Sequence, residues 1–374
     1  MSLTVLSVAY PLAPVGPDAV GGSEQVLYRL DQALVRAGHR SIVVACESSQ
    51  TAGTLVPVPA PPERIDYAVQ HAAFERHRAA VAAALERWPV DIVHVHGILF
   101  HNFLPPPGVP ALVTLHGPWS WYPEEALRPS RPDTWLHCVS ATQHRTAPPG
   151  VRLLRPIENG VPVEALAARH AKRRFALILG RVCAEKGVHH ALEAARRADV
   201  PLLIAGEVHG YEDHEYYFEQ EVKPRLDDKR RFIGPLDFTR KRRFLTAARC
   251  LLVASVAHET SSLVAREALA CGTPVVAFAN GALPEAIEHG RTGFLVRDEA
   301  EMAEAIQAAA ALDPEACRQV ARERFSLERM VARYFDLYER LARGERPRAA
   351  RPGNPRFPMA RPPVGSAGEP AHRR

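Results

Sequence analysis

Residues 250–278 read CLLVASVAHETSSLVAREALACGTPVVAF, which is a short apolar run, a polar turn, a helical pattern and a second apolar run. The runs at 250–255 and 274–278 are almost continuously apolar, which is typical of strands buried on both faces. The helix between them is predicted to begin at Ser261 or Ser262. A strand, a helix and a strand in this order predict a parallel βαβ unit.

The same alternation continues in both directions along the 374 residues and forms two series. The first series has predicted strands at 3–9, 41–46, 91–96, 111–116 and 135–140, with a helix after the first strand that Ser23 can cap and Gly38 can end. The second has strands at 175–180, 200–206, 231–234, 250–255 and 274–278, and an amphipathic helix at 326–343 follows it. A chain of this length favours more than one hydrophobic core. We therefore predict an α/β protein with two Rossmann-like, doubly wound domains.

The predicted boundaries follow the two series. Residues 1–165 form the N-terminal domain and 166–325 the C-terminal domain, and the helix at 326–343 packs back toward the N-terminal domain. Residues 344–374 form a basic, proline-rich tail that is predicted to be disordered, because it has too little apolar content to form a core.

Charge and cysteine usage exclude several classes of protein. The formal net charge is +5, but residues 345–374 hold seven arginines against two glutamates, so the rest of the chain is close to neutral. We expect no nucleic-acid partner, and a peripheral contact with an anionic membrane or protein only through this tail. Six scattered cysteines without a Cys-x-x-Cys pair, and the lack of a signal peptide or a membrane-spanning run, predict a cytoplasmic protein with reduced thiols.

Two carboxylates in the opening stretch are candidates for ligand contacts. Glu259 follows a buried strand, and Glu267 lies two turns along the next helix. The free amides at the start of that helix form an anion site, so one carboxylate can meet a sugar and the other a second polyol such as ribose. An isolated pair of this kind is more often a helix cap and a surface carboxylate, but the Gly-Thr-Pro-Val-Val strand that follows favours the functional interpretation.

Two other loops leave the carboxyl ends of strands. The segment 179–187, LGRVCAEKG, places Gly180, Arg181 and Lys186 at the sheet edge, where the two cations can neutralise a diphosphate. Such cations are often merely solvated. Gly21 and Gly22 join the first strand to the first helix, and paired glycines let backbone amides approach a phosphate closely. Because the pattern is not Gly-x-Gly-x-x-Gly and Cys46 ends the next strand, NAD binding is disfavoured.

Histidines concentrate near two strand ends of the N-terminal half. His94 and His96 share one face of a strand, and His116 ends another in Thr-Leu-His-Gly. Ligand carboxylates are missing nearby and the chain has no Asp-x-Asp, so we predict no metal site and take these residues as core or cleft histidines. His116 is the best placed to touch a substrate hydroxyl. The basic run 240–243 is predicted to cover the exposed face of a helix, and contact with an anionic acceptor or a membrane surface is the alternative.

Taken together these stretches resemble the retaining glycosyltransferases of family four, which have the GT-B fold with two Rossmann-like domains facing across a cleft. The resemblance covers the chain to about residue 343. It rests on the following segments, in this order: GGSE at 21–24, DIVHVHG at 91–97, TLHG at 114–117, ENGV at 158–161, GR at 180–181 with EKG at 185–187, the two glutamates at 259 and 267, and GALPE at 281–285.

The resemblance also implies roles for these residues. Gly21, Gly22 and Gly180 would lie against the donor, His116 would contact the transferred sugar, and Arg181 with Lys186 would hold the diphosphate. Glu259 would bind the sugar hydroxyls and Glu267 the ribose, and the backbone of Thr260, Ser261, Ser262 and Leu263 would complete the site. The catalytic set is thus Glu259, His116, Arg181 and Lys186. The family normally needs no metal and no cofactor. Thr260 and the two serines stand where the family often has Gly-Phe-Gly, which affects the choice of donor sugar.

The sequence thus predicts an enzyme, a hexosyltransferase that moves a sugar with retention from a nucleoside diphosphate sugar to a hydroxyl of a glycan, a lipid or a small molecule. UDP is the first expectation for the nucleotide and GDP the alternative. Two other functions stay open here: a nucleotide-sugar epimerase of the same fold, and a non-catalytic protein that binds a nucleotide sugar.

Overall fold

The computed structural model describes residues 2–350. Met1 and most of the predicted tail, residues 351–374, lie outside the described part. The first residues of that tail pack on the N-terminal half, where Ala350 N donates to Leu153 O at 2.8 Å and Arg346 Nη2 lies 3.3 Å from Asp133 Oδ1. These contacts lie within residues 344–350, and the predicted disorder of the tail stays a prediction.

The N-terminal half contains one parallel sheet. Its strands are β1 (Thr4–Val8), β2 (Arg40–Cys46), β3 (Thr54–Val58), β4 (Ile92–Val95), β5 (Ala111–Leu115) and β6 (Thr134–Cys138). They run in the order β3-β2-β1-β4-β5-β6. The register pairs Leu6 with Ile42 on one side of β1 and Ser7 with His94 on the other. This is the strand order of dinucleotide-binding sheets, in which ligands bind where the order reverses, beside β1 and β4.

The C-terminal half repeats the arrangement. Its strands are β7 (Ala176–Leu179), β8 (Leu202–Ala205), β9 (Arg230–Gly234), β10 (Cys250–Val253), β11 (Val275–Phe278) and β12 (Gly293–Val296). They run in the order β12-β11-β10-β7-β8-β9, so the order reverses between β7 and β10. Numbered from its own first strand, this sheet has the same order as the N-terminal one. Two doubly wound sheets, as predicted, are therefore present.

Helices cover both faces of each sheet. They are α1 (Gly22–Arg36), α2 (Tyr67–Arg87), α3 (Glu124–Leu127), α4 (Ala141–Arg145), α5 (Val163–Leu166), α6 (Val188–Arg197), α7 (Glu212–Tyr217), α8 (Phe238–Ala247), α9 (Leu263–Ala270), α10 (Leu283–Ala286), α11 (Glu299–Ala308), α12 (Pro314–Arg324) and α13 (Leu327–Ala342). In the described part of the chain, no helix has both the length and the apolar character needed to cross a bilayer. All six cysteines are free and buried.

The last helix, α13, packs against the N-terminal sheet although it follows the C-terminal half. Its buried side chains are Met330, Tyr334, Leu337, Tyr338 and Leu341, which share a core cluster with Leu3, Val5 and Leu30. Each fully buried apolar side chain contributes about 1.5–3 kcal/mol, so this face ties the two halves together. A second link is Glu285 on α10, whose carboxylate accepts from the backbone N–H of Thr142 at the start of α4.

Candidate active site

Loops from both halves meet where the carboxyl ends of the strands face each other. Thr260 Oγ1 donates to the carbonyl oxygen of His116 at 2.6 Å, which joins the loop after β10 to the end of β5. The guanidinium of Arg181 lies 5.7 Å from the ring centroid of Trp121. A Cβ on Gly22 would lie 3.3 Å from Leu263 Cδ1, so the start of α1 approaches the start of α9 closely. The predicted cleft residues of the two halves are thus brought together.

Lys186 and Glu259 form an ion pair in this cleft. Lys186 ends a 3₁₀ turn that leads into α6, and its Nζ donates to Glu259 Oε1. Gly187 follows with φ 59°, and a Cβ at this position would lie 2.1 Å from the carbonyl oxygen of Ala254. Only glycine allows this close approach, which brings Lys186 beside the loop after β10.

Glu259 is held as a carboxylate. Burial alone would raise its pKa, but the adjacent Lys186 charge and the hydrogen bonds from Lys186 and Ser255 outweigh burial and lower the pKa below the ordinary value. The Ser255 hydroxyl donates to Glu259 Oε1 at 2.6 Å. Glu259 Oε1 therefore already has two donors, and it carries a negative charge at neutral pH.

The N-terminus of α9 holds polar atoms without partners. Ser262 precedes the helix with φ 54° and makes no side-chain cap. The hydroxyls of Ser261 and Ser262 are buried and have no hydrogen-bond partner in the described structure. The amides of the first helical turn lack intrahelical acceptors as well, and they carry the positive end of the helix dipole. Unpaired donors at this point form a site for an anion.

Glu267 lies further along α9 and is 3% exposed. Its Oε1 accepts from Lys241 Nζ at 2.6 Å, whereas Oε2 is buried without a partner. Glu267 and Lys241 line a small pocket together with Gly180 and Val264. Lys241 belongs to the basic run 240–243, so the prediction that this run covers an exposed helix face is wrong for Lys241, whose side chain is only 12% exposed and pairs with Glu267.

Replacing Lys241 by methionine is expected to lower the free energy of unfolding by about 1–3 kcal/mol, because the buried Glu267 carboxylate loses the cation that pairs with it. Urea unfolding measures this difference. Arg243→Met on the same helix, at an exposed position, is the matched control and should change stability little. The double variant Lys241→Met/Glu267→Gln should recover much of the loss. Equal stability of Lys241→Met and the unaltered protein would contradict a stabilising role of the Lys241–Glu267 ion pair.

Gly21 and Gly22 form the turn into α1, but its details differ from the prediction. Gly21, not Ser23, is the N-cap, and the Ser23 hydroxyl donates to Glu24 Oε1 at 2.9 Å. A Cβ on Gly21 would lie 1.9 Å from Glu24 Oε2, so a side chain at this position would displace the Glu24 carboxylate. Burial raises the pKa of the Glu24 carboxyl, although Ser23 and backbone hydrogen bonds oppose that shift.

The histidines form one buried group that extends from His116. His96 Nδ1 lies 3.1 Å from His116 Nε2, and His96 Nε2 lies 3.1 Å from His94 Nδ1. Burial lowers the pKa of His116 to about 3, with a further effect of His137, and it lowers the pKa of His94 and His96 well below 6.5. These rings are therefore neutral at pH 7.

The free energy of unfolding is expected to fall as the pH drops from 6.5 to 5. A histidine whose folded pKa lies below its unfolded value binds its proton preferentially in the unfolded chain, so its contribution is present above 6.5 and is lost as pH falls toward the folded pKa. Burial lowers the pKa of both His77 and His137 to about 4. Each such group contributes a slope of up to about 1.4 kcal/mol per pH unit.

Urea unfolding at pH 7, 6 and 5 measures this slope. His77→Gln, on α2, should give a shallower slope than the unaltered protein, because one histidine with a lowered pKa is removed. A free energy of unfolding that stays constant over this range would contradict the prediction.

One group of side chains in the described residues has the spacing of metal ligands. Cys183, Glu185 and His214 place their ligand atoms within 4.8 Å of one another. Burial raises the pKa of the Cys183 thiol to about 12, although Arg181 opposes that shift, so the free thiol keeps its proton at neutral pH. The absence of a metal requirement stays a prediction.

The structure therefore groups most of the predicted residues. Thr260 is hydrogen-bonded to His116 and its neighbour Glu259 to Lys186, and Gly180 lines one pocket with Glu267. Sequence reasoning missed three partners that hold them: Lys241, Ser255 and Trp121. Their signal was weak, because each makes its contact across a loop or from another element.

Comparisons with known proteins agree with this geometry. The model of "Glycosyltransferase Family 4" matches residues 20–148, and that of "Glycosyl transferases group 1" matches residues 173–311, so the two together match both halves. The glycogen synthase of Mycobacterium tuberculosis is 27% identical over 416 aligned positions, which cover 92% of this chain and 96% of that protein.

Solved structures share the fold. Sucrose-phosphate synthase from Thermosynechococcus elongatus superposes with a TM-score of 0.74 at 21% identity, covering 91% of this chain and 100% of that one. HepE from Anabaena, in complex with UDP and glucose, gives a TM-score of 0.68 at 17% identity over 90% and 99% of the two chains. The predicted two-domain α/β fold and the predicted enzyme class are both confirmed. The chain belongs to the family-four glycosyltransferases and is a glycosyltransferase with the GT-B fold.

Proposed function

We propose that this glycosyltransferase moves a hexose from a nucleoside diphosphate sugar, UDP first and GDP as the alternative, to an acceptor hydroxyl with retention of configuration. One observation carries the proposal: the buried, unpartnered atoms Ser261 Oγ, Ser262 Oγ and Glu267 Oε2 all lie within residues 261–267, which lead into α9 and form its first five residues. Hydroxyl and amide donors suit phosphate oxygens, whereas a carboxylate oxygen accepts from a ribose hydroxyl. A nucleoside diphosphate supplies both kinds of partner at once.

The cations next to this segment support the same ligand. Lys186 has one carboxylate partner, Glu259, and among residues 2–350 no carboxylate lies within 4 Å of the Arg181 guanidinium. A diphosphate would provide Arg181 with an anionic partner and would share Lys186 with Glu259. The solved HepE complex holds UDP and glucose, and we carry that ligand class over to this chain as part of the proposal.

In the proposed reaction the bond between the anomeric carbon and the β-phosphate oxygen breaks first, and the bonding electrons leave with the nucleoside diphosphate. Arg181, Lys186 and the α9 amides stabilise the charge that develops on that phosphate. Glu259 and His116 hold the hydroxyls of the oxocarbenium-like sugar, and Gly21 and Gly22 let the backbone approach it. The acceptor hydroxyl attacks from the face that the phosphate leaves and gives its proton to the phosphate, so no metal and no separate base take part.

The acceptor is proposed to be a hydroxyl of a glycan, a lipid or a small molecule. The seven arginines of residues 345–374 are proposed to contact an anionic partner or membrane surface. Deleting residues 351–374 is expected to leave donor hydrolysis unchanged and to weaken sedimentation with anionic vesicles. Loss of hydrolysis in that variant would oppose this separation of roles.

The function is tested by a panel of nucleotide sugars. The true donor should raise the midpoint of thermal unfolding, because it binds only the folded state. Incubation of that donor with candidate acceptors, with and without EDTA, should give a product whose anomeric configuration by NMR equals that of the donor. Inversion of configuration would overturn retention, and loss of turnover in EDTA would overturn metal independence. Isomerised donor without acceptor would favour the epimerase alternative.

A further inference from the structure

A chain of hydrogen bonds runs through the core of the N-terminal half and ends at the cleft. It runs from His137 on β6 through Thr114 on β5 to His94 on β4. It continues through His96, just after β4, to His116, just after β5. The successive distances are 2.7 Å (His137 Nε2 to Thr114 Oγ1), 2.7 Å (Thr114 Oγ1 to His94 Nε2), 3.1 Å (His94 Nδ1 to His96 Nε2) and 3.1 Å (His96 Nδ1 to His116 Nε2). His94, His96, Thr114 and His137 are all buried.

Each of these imidazoles carries one ring proton at neutral pH. Burial lowers the pKa of all four histidines, to about 4 for His137 and about 3 for His116. A neutral imidazole has one N–H donor and one acceptor nitrogen. The direction of every hydrogen bond in the chain is therefore fixed once the direction of any one of them is known.

The far end of the chain supplies that direction. His137 Nδ1 lies 3.1 Å from the carbonyl oxygen of Cys138, and a carbonyl oxygen only accepts. The His137 proton is therefore on Nδ1, and its Nε2 is an acceptor. The donor for that nitrogen is the Thr114 hydroxyl, which has a single proton and so cannot also donate to His94.

The donor and acceptor of each following hydrogen bond can now be assigned in turn. Because the Thr114 proton is used, His94 Nε2 must donate to Thr114 Oγ1, and His94 Nδ1 is an acceptor. Two groups face that nitrogen, the Tyr338 hydroxyl at 2.6 Å and His96 Nε2 at 3.1 Å. If His96 Nε2 were unprotonated, two lone pairs would face each other, so it carries the proton. His96 Nδ1 then accepts from His116 Nε2.

We propose that this directional chain fixes His116 as the Nε2–H tautomer and leaves its Nδ1 as a hydrogen-bond acceptor for a hydroxyl of the transferred sugar. His94, His96, Thr114 and His137 act as positioning residues. The second half of the proposal rests on the proposed donor, whereas the tautomer does not. A neutral ring that presents a lone pair favours the positive charge that develops on the sugar, whereas a ring N–H would oppose it.

Two tyrosines of the last helix, α13, also contact this chain of hydrogen bonds. The hydroxyl of Tyr338 faces His94 Nδ1, and the hydroxyl of Tyr334 lies 3.3 Å from Thr114 Oγ1. Thr114 Oγ1 has two lone pairs and can accept from Tyr334 as well as from His94, whereas the single lone pair of His94 Nδ1 is shared between the Tyr338 hydroxyl and His96 Nε2. The Tyr334 contact is thus consistent with the assigned proton positions.

Two-bond ¹H–¹⁵N correlation spectra of the ¹⁵N-histidine-labelled protein test the tautomer. The resonances of His116 are identified by their loss in His116→Gln. We expect its proton on Nε2 in the unaltered protein without any ligand. A proton on Nδ1 would overturn the proposal, and this result is independent of whether a nucleotide sugar is the donor.

A matched pair of variants tests the origin of the tautomer. Thr114→Val keeps the shape but removes the hydroxyl, so His116 should become a mixture of tautomers and kcat should fall by up to about tenfold, with UDP affinity unchanged. Thr114→Ser restores the hydroxyl and should restore both. An unchanged tautomer and kcat in folded Thr114→Val would refute the positioning role. If Thr114→Val does not fold, the spectrum of the unaltered protein still decides the assignment.

Discussion

Replacing Lys186 by alanine is expected to lower kcat/KM for the nucleotide-sugar donor by about ten- to a hundredfold. A charged hydrogen bond contributes about 1.5–3 kcal/mol, which corresponds to this range. The structure adds a second cause, because Lys186 Nζ also donates to Glu259 Oε1. Without that cation the pKa of Glu259 rises, since burial is then opposed mainly by the Ser255 hydrogen bond and the more distant Arg181 charge. The variant should therefore lose phosphate binding and part of the charge on Glu259 together.

Steady-state kinetics over a range of donor concentrations measure this effect, and calorimetry with UDP separates binding from turnover. Lys229→Ala is the matched control, because Lys229 forms an exposed ion pair with Asp199 and lies outside the cleft residues. It should behave as the unaltered protein. If Lys186→Ala kept its kcat/KM, Lys186 would have no place in the phosphate site.

The fold was largely predictable because its strands are buried on both faces. Ten of the twelve strands appear as apolar runs, and their structural bounds lie within two residues of the predicted ones at most ends. The two missed strands, β3 and β12, are edge strands with partly exposed side chains. β3 contains Pro57, and proline argues against a central strand, whereas β12 begins at Gly293. The apolar runs that mark strands in the sequence are therefore weaker in these two edge strands.

The site was predictable where chain topology alone places a residue. Glu259 and Lys186 follow strands of the C-terminal sheet and His116 follows β5 of the N-terminal sheet, and within each sheet the carboxyl ends of the parallel strands share one edge. The partners were not predictable, because they depend on tertiary packing. Lys241 contacts Glu267 from another helix, and Tyr338 reaches His94 across 244 positions of the sequence. A local pattern cannot distinguish such a lysine from its solvated neighbours.

Replacing Glu259 by glutamine is expected to lower kcat by about a hundredfold while leaving UDP affinity within about threefold of the unaltered protein. The substitution keeps the size of the side chain and an oxygen that can accept from Lys186 and Ser255, so the local fold should persist. It removes the negative charge that faces the proposed sugar. Since UDP has no sugar at that position, its affinity has no reason to fall, and the freed Lys186 charge can even strengthen it.

Two measurements on Glu259→Gln separate a role in the reaction from a role in the fold. Thermal unfolding with and without UDP should show the same ligand-induced shift as in the unaltered protein. Glu285→Gln is the matched control, since Glu285 is also buried in this half but binds the start of α4 instead of the cleft. It should keep kcat within about threefold. A parallel loss of UDP affinity and kcat in Glu259→Gln would show that Glu259 stabilises the fold. UDP lacks the transferred sugar, so only a structural defect would weaken its binding.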